Sequence, residues 1–260
     1  MFLGSGEEEG ASGGGRRSSF PARRQSRRDS WNWGQYEDPL SDKIIGFDEL
    51  KSTLDQTFDA TEGINSLEIV RTALFDVMSR FRTIDGELER MALFDYTKPY
   101  TRNCVASTDK YTLLLLCWNP AAHSRIHDHP CDACILTVLE GHLKEERYAP
   151  GSDIVGTAPK PTATKFYLET QTSYMTDDVG LHKIYNPNAT LPAISLHLYY
   201  PPFQVCTVWP EAPDGTVKKG EQVKIGTFSF RGIRTPQSEG RMSSHGQVMQ
   251  ELQRTRPLMM

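Results

Sequence analysis

The chain is short of several things, and each shortage excludes a class of protein. No apolar run approaches the roughly 18 residues that a membrane-spanning helix needs, and no signal-peptide core stands near the start. The expectation is therefore a chain with neither membrane span nor secretory leader. Cysteine is sparse. Cys104, Cys117, Cys131, Cys134 and Cys206 are odd in number and irregularly spaced, which suits a reducing, cytoplasmic compartment rather than a secreted disulfide framework. A net charge of −4 gives no pull toward nucleic acid or a membrane surface. In such a chain the sequon Asn188-Ala189-Thr190 carries no weight. What is present is 260 residues with 38% hydrophobic content, enough to fill the core of one large domain.

Composition divides the chain. Residues 1–42 are dominated by Gly, Ser and Arg without apolar periodicity and are expected to be disordered. Three Arg-Arg pairs there approach Ser18, Ser26 and Ser30. A solvated tail is the expected reading, with a basophilic kinase target or a nucleic-acid contact as alternatives. Between residues 43 and 236 lies the predicted domain. Phe47, Leu50, Leu54 and Phe58 repeat at helical spacing, as do Leu67, Val70, Leu74, Val77, Met78 and Phe81, with Ser66 placed to cap the second helix. A third, shorter helix is expected over about 85–93. Beyond Tyr100 short strands take over, at 111–118, 165–169, 181–185, 193–200 and 223–230. Many short strands after a helical lead-in predict a β-barrel or jelly roll with helices packed on it. Residues 237–260 turn polar and are expected to form a loose tail.

The densest chemical signal is His127-Asp128-His129-Pro130-Cys131-Asp132-Ala133-Cys134, just ahead of the β-prone run Ile135-Leu136-Thr137-Val138-Leu139. On a strand, side chains two apart point the same way and their Cα atoms stand roughly 6–7 Å apart. Both imidazoles can then reach one metal while Asp128 faces away. An isolated His-x-His is a weak signal, and the continuation strengthens it. Gly141 follows Cys134 by seven residues and opens the run His142–Tyr148, read as a β-hairpin turning at Glu140-Gly141. This layout resembles the first motif of the cupin superfamily, with Cys134 where a cupin carries its glutamate ligand. The run Gly180-Leu181-His182-Lys183-Ile184-Tyr185-Asn186 resembles the second. The resemblance implies a ligand set of His127, His129 and His182 without a carboxylate. Two rival readings attach to Cys131-x-x-Cys134. A thioredoxin-type redox pair belongs at a helix N-terminus, whereas this one precedes a strand. A zinc site of His127, His129 and both cysteines is chemically reasonable but leaves His182 unexplained.

Ser195-Leu196-His197-Leu198-Tyr199 is the second signal, because alternation puts a hydroxyl, an imidazole and a phenol on one face. They can form a hydrogen-bonded chain in which the histidine sets the phenol's proton. The alternative is the solvent face of an ordinary strand. Nucleophilic Ser-His catalysis fits less well, since no strained elbow surrounds Ser195.

Together with Tyr100-Thr101-Arg102-Asn103, Leu116-Cys117-Trp118, Pro201-Pro202-Phe203 and Gly232-Ile233-Arg234-Thr235-Pro236, these runs are similar to the cysteine dioxygenase family. Its members oxidise the thiol of L-cysteine with O2 to a sulfinate. The similarity spans roughly Ile45 to Pro236. It implies a mainly β, cupin-type double-stranded β-helix (jelly-roll) barrel with a small N-terminal helical segment packed on it. It also implies that His127, His129 and His182 hold Fe(II), and that Cys134 and Tyr199 become joined by a thioether. Arg102, with Tyr100 nearby, would hold the substrate carboxylate, and Ser195 and His197 would orient the tyrosine hydroxyl. The chain departs from the pattern in four places. Ala121 replaces the glycine that opens the general cupin motif, Cys131 has no family role, residues 215–230 align poorly, and the Arg-rich extension has no counterpart.

A three-histidine centre suits thiol oxidation. Most O2-activating ferrous sites use two histidines and a carboxylate. With a neutral imidazole in its place, a substrate thiolate can supply the missing anion. Three open octahedral positions would take cysteine through sulfur and amine, and O2 beside them. Arg102 favours a thiol that carries a carboxylate. The alternatives are a dioxygenase for another small thiol, 3-mercaptopropionate or cysteamine, and a metal-binding cupin without catalysis. L-cysteine and O2 are the expected partners, with no nucleic acid and no membrane. A monomer is expected because no apolar stripe is left unassigned.

Overall fold

A computed structural model describes residues 46–84, 86–150 and 154–239 of the chain. The expected disordered extension over 1–42, with its Arg-Arg pairs, lies outside the described residues, as do residues 240–260 of the expected tail. The tail's first residues instead belong to a short helix, Pro236–Glu239. Three helices lead: α1 (Phe47–Ala60), α2 (Leu67–Arg80) and α3 (Glu87–Met91). The periodic apolar residues of the first two are buried, as their spacing requires, except Leu67 at the start of α2, which is half-buried. Ser66 occupies the N-cap position of α2 but makes no capping hydrogen bond, against expectation. Glu68 in the first turn of α2 complements the helix dipole instead. At α1 the N-cap is Gly46, which has no side chain to offer. Buried Glu87 reaches across from α3 and accepts the Phe47 N–H at 2.9 Å.

Thirteen strands follow among the described residues. The first six are β1 (Tyr100–Ser107), β2 (Thr112–Trp118), β3 (Ile126–His127), β4 (Ala133–Glu140), β5 (His142–Tyr148) and β6 (Ala163–Leu168). After them come β7 (Thr172–Met175), β8 (Leu181–Tyr185), β9 (Ala193–Tyr200), β10 (Val205–Trp209), β11 (Glu221–Lys224), β12 (Ser229–Phe230) and β13 (Ile233–Arg234). A seven-stranded sheet has the order β13-β12-β1-β2-β9-β4-β7, and a six-stranded sheet the order β11-β10-β3-β8-β5-β6. The fold is mainly β, a cupin-type double-stranded β-helix with helices on one sheet.

Strand alternation explains how the layers stack. In β2 and its neighbours, Leu113, Leu115, Cys117, Ile135, Leu196 and Leu198 pack against α1 and α2 residues in one core cluster. The intervening Leu114, Leu116, Trp118, Leu136 and Val138 meet Leu143, Tyr167 and Ile184 of the other sheet in a second cluster inside the barrel. The central strands of the larger sheet are thus buried on both faces, which is why β2 reads as an unbroken apolar run. Each such leucine contributes about 1.5–3 kcal/mol by burial. Ser195, His197 and Tyr199 occupy the interior-facing positions of β9, and the solvent-face alternative fails: Ser195 is 0% exposed and His197 3%.

Three sequence expectations need correcting. Glu140-Gly141 does not close a hairpin, because β4 pairs with β7 and β9 while β5 pairs with β6 and β8. The chain passes there from one sheet to the other. Gly141 has φ +74, and a Cβ on it would press on Ala193 and the Pro192 carbonyl at 3.2 Å. The predicted strand 223–230 is two strands, β11 in the smaller sheet and β12 in the larger, since the chain changes sheets between them. Finally, the His-x-His segment is barely a strand. β3 ends at His127, and His129 lies beyond it.

Candidate metal centre

Although the strand stops early, side-chain alternation continues through residues 127–129. Asp128 turns away, as expected, and extends the ladder to β10: its N–H donates to the Thr207 carbonyl at 3.1 Å, and its Oδ1 accepts the Thr207 N–H at 2.7 Å. The His129 N–H donates to Asp177 Oδ1 at 2.7 Å. The two histidines are thereby held on one side, and His182 enters from β8, directly opposite His127 in register. Gly180, at φ +111, opens this strand, where any Cβ would collide with the Tyr148 carbonyl.

The three rings converge. Their centroids are 4.8, 4.6 and 4.5 Å apart, and one nitrogen of each lies within 4.8 Å of the others. Among the described residues no carboxylate joins this group, nor do Cys131 and Cys134, so the zinc alternative is not assembled. Hydrogen bonds fix two of the tautomers. His127 Nδ1 faces the Arg125 carbonyl at 2.8 Å and His182 Nδ1 faces Glu145 Oε1 at 2.8 Å, so both must be N–H donors. The two Nε2 atoms left over point at each other 3.3 Å apart. Two lone pairs in that position repel, and a cation between them is what satisfies both. Buried His129 Nδ1 has no partner, which leaves that ring's tautomer to what it binds. Burial, then the neighbouring His182, lowers the His127 pKa to about 3. The same two causes put His129 well below its usual range. Neutral rings are the metal-ligating form. The residues fit a metal.

The same cavity is completed by Tyr100, Arg102, Trp118, His197 and Tyr199. Arg102, on β1, donates to the Tyr100 hydroxyl at 2.9 Å and stands over that ring, which packs on Trp118 with centroids 4.6 Å apart. None of the ion pairs among the described residues involves Arg102. The sequence-predicted relay is assembled and longer than expected. Trp118 Nε1 donates to Ser195 Oγ at 2.9 Å, and Ser195 Oγ lies 2.8 Å from His197 Nε2. With its oxygen already accepting, buried Ser195 can use its proton only on His197. His197 is therefore protonated at Nδ1, 3.4 Å from the Tyr199 hydroxyl. Burial and the nearby histidines keep it neutral. Tyr199 stacks on His129 at 6.3 Å and on His197 at 6.0 Å, and Phe203 packs edge-on against it. Cys134 lies directly across from Tyr199 in register and is buried, with burial pushing its thiol pKa well up and a hydrogen bond to Tyr199 acting against that rise.

Sequence reasoning missed Trp118 as an anchor, Asp177 as the clamp on His129, and Glu145 behind His182. Glu145 had a readable signal. In β5 it alternates with Leu143, an evident core residue, so it had to face inward.

A jelly-roll barrel with three imidazoles converging inside it defines the class: a cupin with a three-histidine metal site. The sequence profile described as cysteine dioxygenase type I matches residues 48–212. Cysteine dioxygenase type 1 of Danio rerio is 34% identical over 190 residues, 73% of this chain and 89% of that protein. The Bos taurus protein of the same name is 36% identical over 191 residues, 72% of this chain and 88% of its own. Among solved structures, a cupin superfamily protein from Desulfitobacterium hafniense is 8% identical with a TM-score of 0.34, covering 46% of this chain and 90% of that one. This chain belongs to the cysteine dioxygenase type I family.

Proposed function

We propose that the protein is an Fe(II)-dependent dioxygenase that converts L-cysteine to cysteine sulfinic acid. The observation that carries this reading is a cluster of three imidazoles joined by no carboxylate, beside an arginine with no ion-pair partner, both among the described residues. His127, His129 and His182 would hold the iron, which when bound supplies O2 activation next to a coordinated thiolate. Affinity alone does not select iron over copper or zinc. Family membership supports it. Arg102, steadied by Tyr100, offers a planar fork to the substrate carboxylate, and this favours cysteine over cysteamine.

Tyr199 is the group through which the protein acts on the reacting end. Its oxygen accepts from His197, so its own proton points away from the relay, toward Cys134 or the substrate side of the cavity. The direction is set by Trp118, Ser195 and His197 in turn. Cys134 and Tyr199 stand opposite each other in register, which supports a thioether between them. Its formation, with O2 as the two-electron oxidant, would lock the phenol and lower the chain mass by two hydrogens. The buried, apolar wall of Leu116, Trp118 and Ile184 limits water in the cavity.

The test is oxygen uptake by iron-loaded full-length protein with L-cysteine, cysteamine and 3-mercaptopropionate in parallel. Stoichiometric uptake with L-cysteine, and tenfold or weaker efficiency with cysteamine, is expected. Equal efficiency for both thiols contradicts the role of Arg102, and no uptake with any of the three contradicts the activity. The assignment to a reducing cytoplasm and to a monomer belongs to the same proposal. Among the described residues no helix is long and apolar enough to cross a membrane.

A further inference from the structure

Glu145 is a carboxylate at 1% exposure, on the barrel-facing side of β5. So deep a charge is costly unless several partners compensate it, and the way they do so is asymmetric. One oxygen, Oε2, accepts from Arg147 Nε at 3.1 Å, the Tyr167 hydroxyl at 2.8 Å and Ser173 Oγ at 3.1 Å. The other, Oε1, faces His182 Nδ1 alone, at 2.8 Å. Three donors saturate one oxygen and reserve its twin for the histidine. The arrangement also crosses the barrel. Ser173 belongs to β7 of the larger sheet, and Arg147 donates in addition to the Tyr174 carbonyl at 2.9 Å.

We propose that Glu145 is the positioning residue of the metal centre, fixing the proton of His182 on Nδ1 and aiming the Nε2 lone pair at His127 and His129. This rests on the reading of the three histidines as a metal site. The carboxylate absent from the ligand set stands one ring further out, behind His182, where it holds the ring's orientation. Arg147, Tyr167 and Ser173 decide which oxygen it presents.

The reserved oxygen gives a specific expectation for E145Q, a nearly isosteric neutral change. The amide carbonyl would go to the three donors, turning the NH2 toward His182. Nδ1 would then have to accept, and the ring proton would move to Nε2, the atom that must ligate. The experiment uses the full-length chain freed of metal by chelation, with 15N-labelled histidine. The His182 tautomer is read by long-range 1H–15N correlation, and Co(II) affinity by optical titration. Expected are an Nδ1–H tautomer in the wild type and an Nε2–H tautomer in E145Q. Co(II) binding should weaken by about 10–100-fold in the variant, with an unchanged near-UV circular dichroism spectrum. An Nε2–H tautomer in the wild type overturns the proposal even if E145Q does not fold. So does E145Q that binds Co(II) as tightly as the wild type. Wild-type protein that binds no metal at all takes down the metal reading and this proposal with it, a result distinct from equal affinity in the two proteins.

Discussion

Ala121 sits at φ +56, a left-handed conformation that costs an L-residue with a Cβ about 1–2 kcal/mol. Its place resembles that of the glycine that opens the general cupin motif, a residue that adopts this conformation without such a cost. Ala121→Gly should stabilise the protein by about 0.5–1 kcal/mol after the greater freedom of glycine in the unfolded chain is subtracted. Chemical denaturation measures it; a loss of stability would contradict the argument. At Arg102 the expected effect is on binding. Arg102→Ala removes charged hydrogen bonds worth about 1.5–3 kcal/mol, so KM for L-cysteine should rise about tenfold to a hundredfold with little change in melting temperature. Such single positions were legible because their residue types are rare and their spacing follows a strand: the two histidines of residues 127–129, His182, and the Ser-His-Tyr alternation. Glu145 and Asp177 were not singled out. Acidic residues are common, and only the fold brings these two behind His182 and under His129.

Elements were read best where one face is apolar and least well where partners from other elements decide. Helices α1 and α2 and strands β8 and β9 appear at or near their predicted bounds, because periodicity alone specifies them. The turn at Gly141 was read as a hairpin, since a glycine between two β-prone runs signals a change of direction and is silent on whether the strands pair. The cap of α1 comes from Glu87, forty residues away, which no local pattern can announce. Glu87→Ala leaves the Phe47 N–H unpaired in a buried setting and should cost about 1–3 kcal/mol. Urea denaturation checks this, and a change within about 0.5 kcal/mol, ordinary for a surface position, would contradict it.

For the whole molecule, the buried imidazoles tie stability to pH. Unfolded histidines take up a proton near pH 6.5. In the fold, burial and neighbouring histidines hold His127 down to about 3 and keep His129 and His197 well below 6.5. Between those limits the unfolded chain binds more protons, so stability rises with pH. Metal-free protein should therefore lose stability as pH falls below about 6.5, by at most about 1.4 kcal/mol per pH unit for each proton withheld. Glu145 adds to the loss below its unfolded value of about 4.5: burial alone would raise it, but hydrogen bonding to His182 and the charge of Arg147 bring it down to about 2. Denaturation midpoints at pH 7.5, 6.5 and 5.5 measure the trend, and equal stability at all three would contradict it. The central claim is that this three-imidazole barrel inserts both atoms of O2 into the thiol of cysteine. Mass analysis of the product formed under 18O2 tests it most directly. The account predicts cysteine sulfinate heavier by two 18O atoms from iron-loaded wild type, and none from His182→Ala treated in the same way. A singly labelled sulfinate, or labelled product from the His182 variant at the wild-type rate, would contradict it.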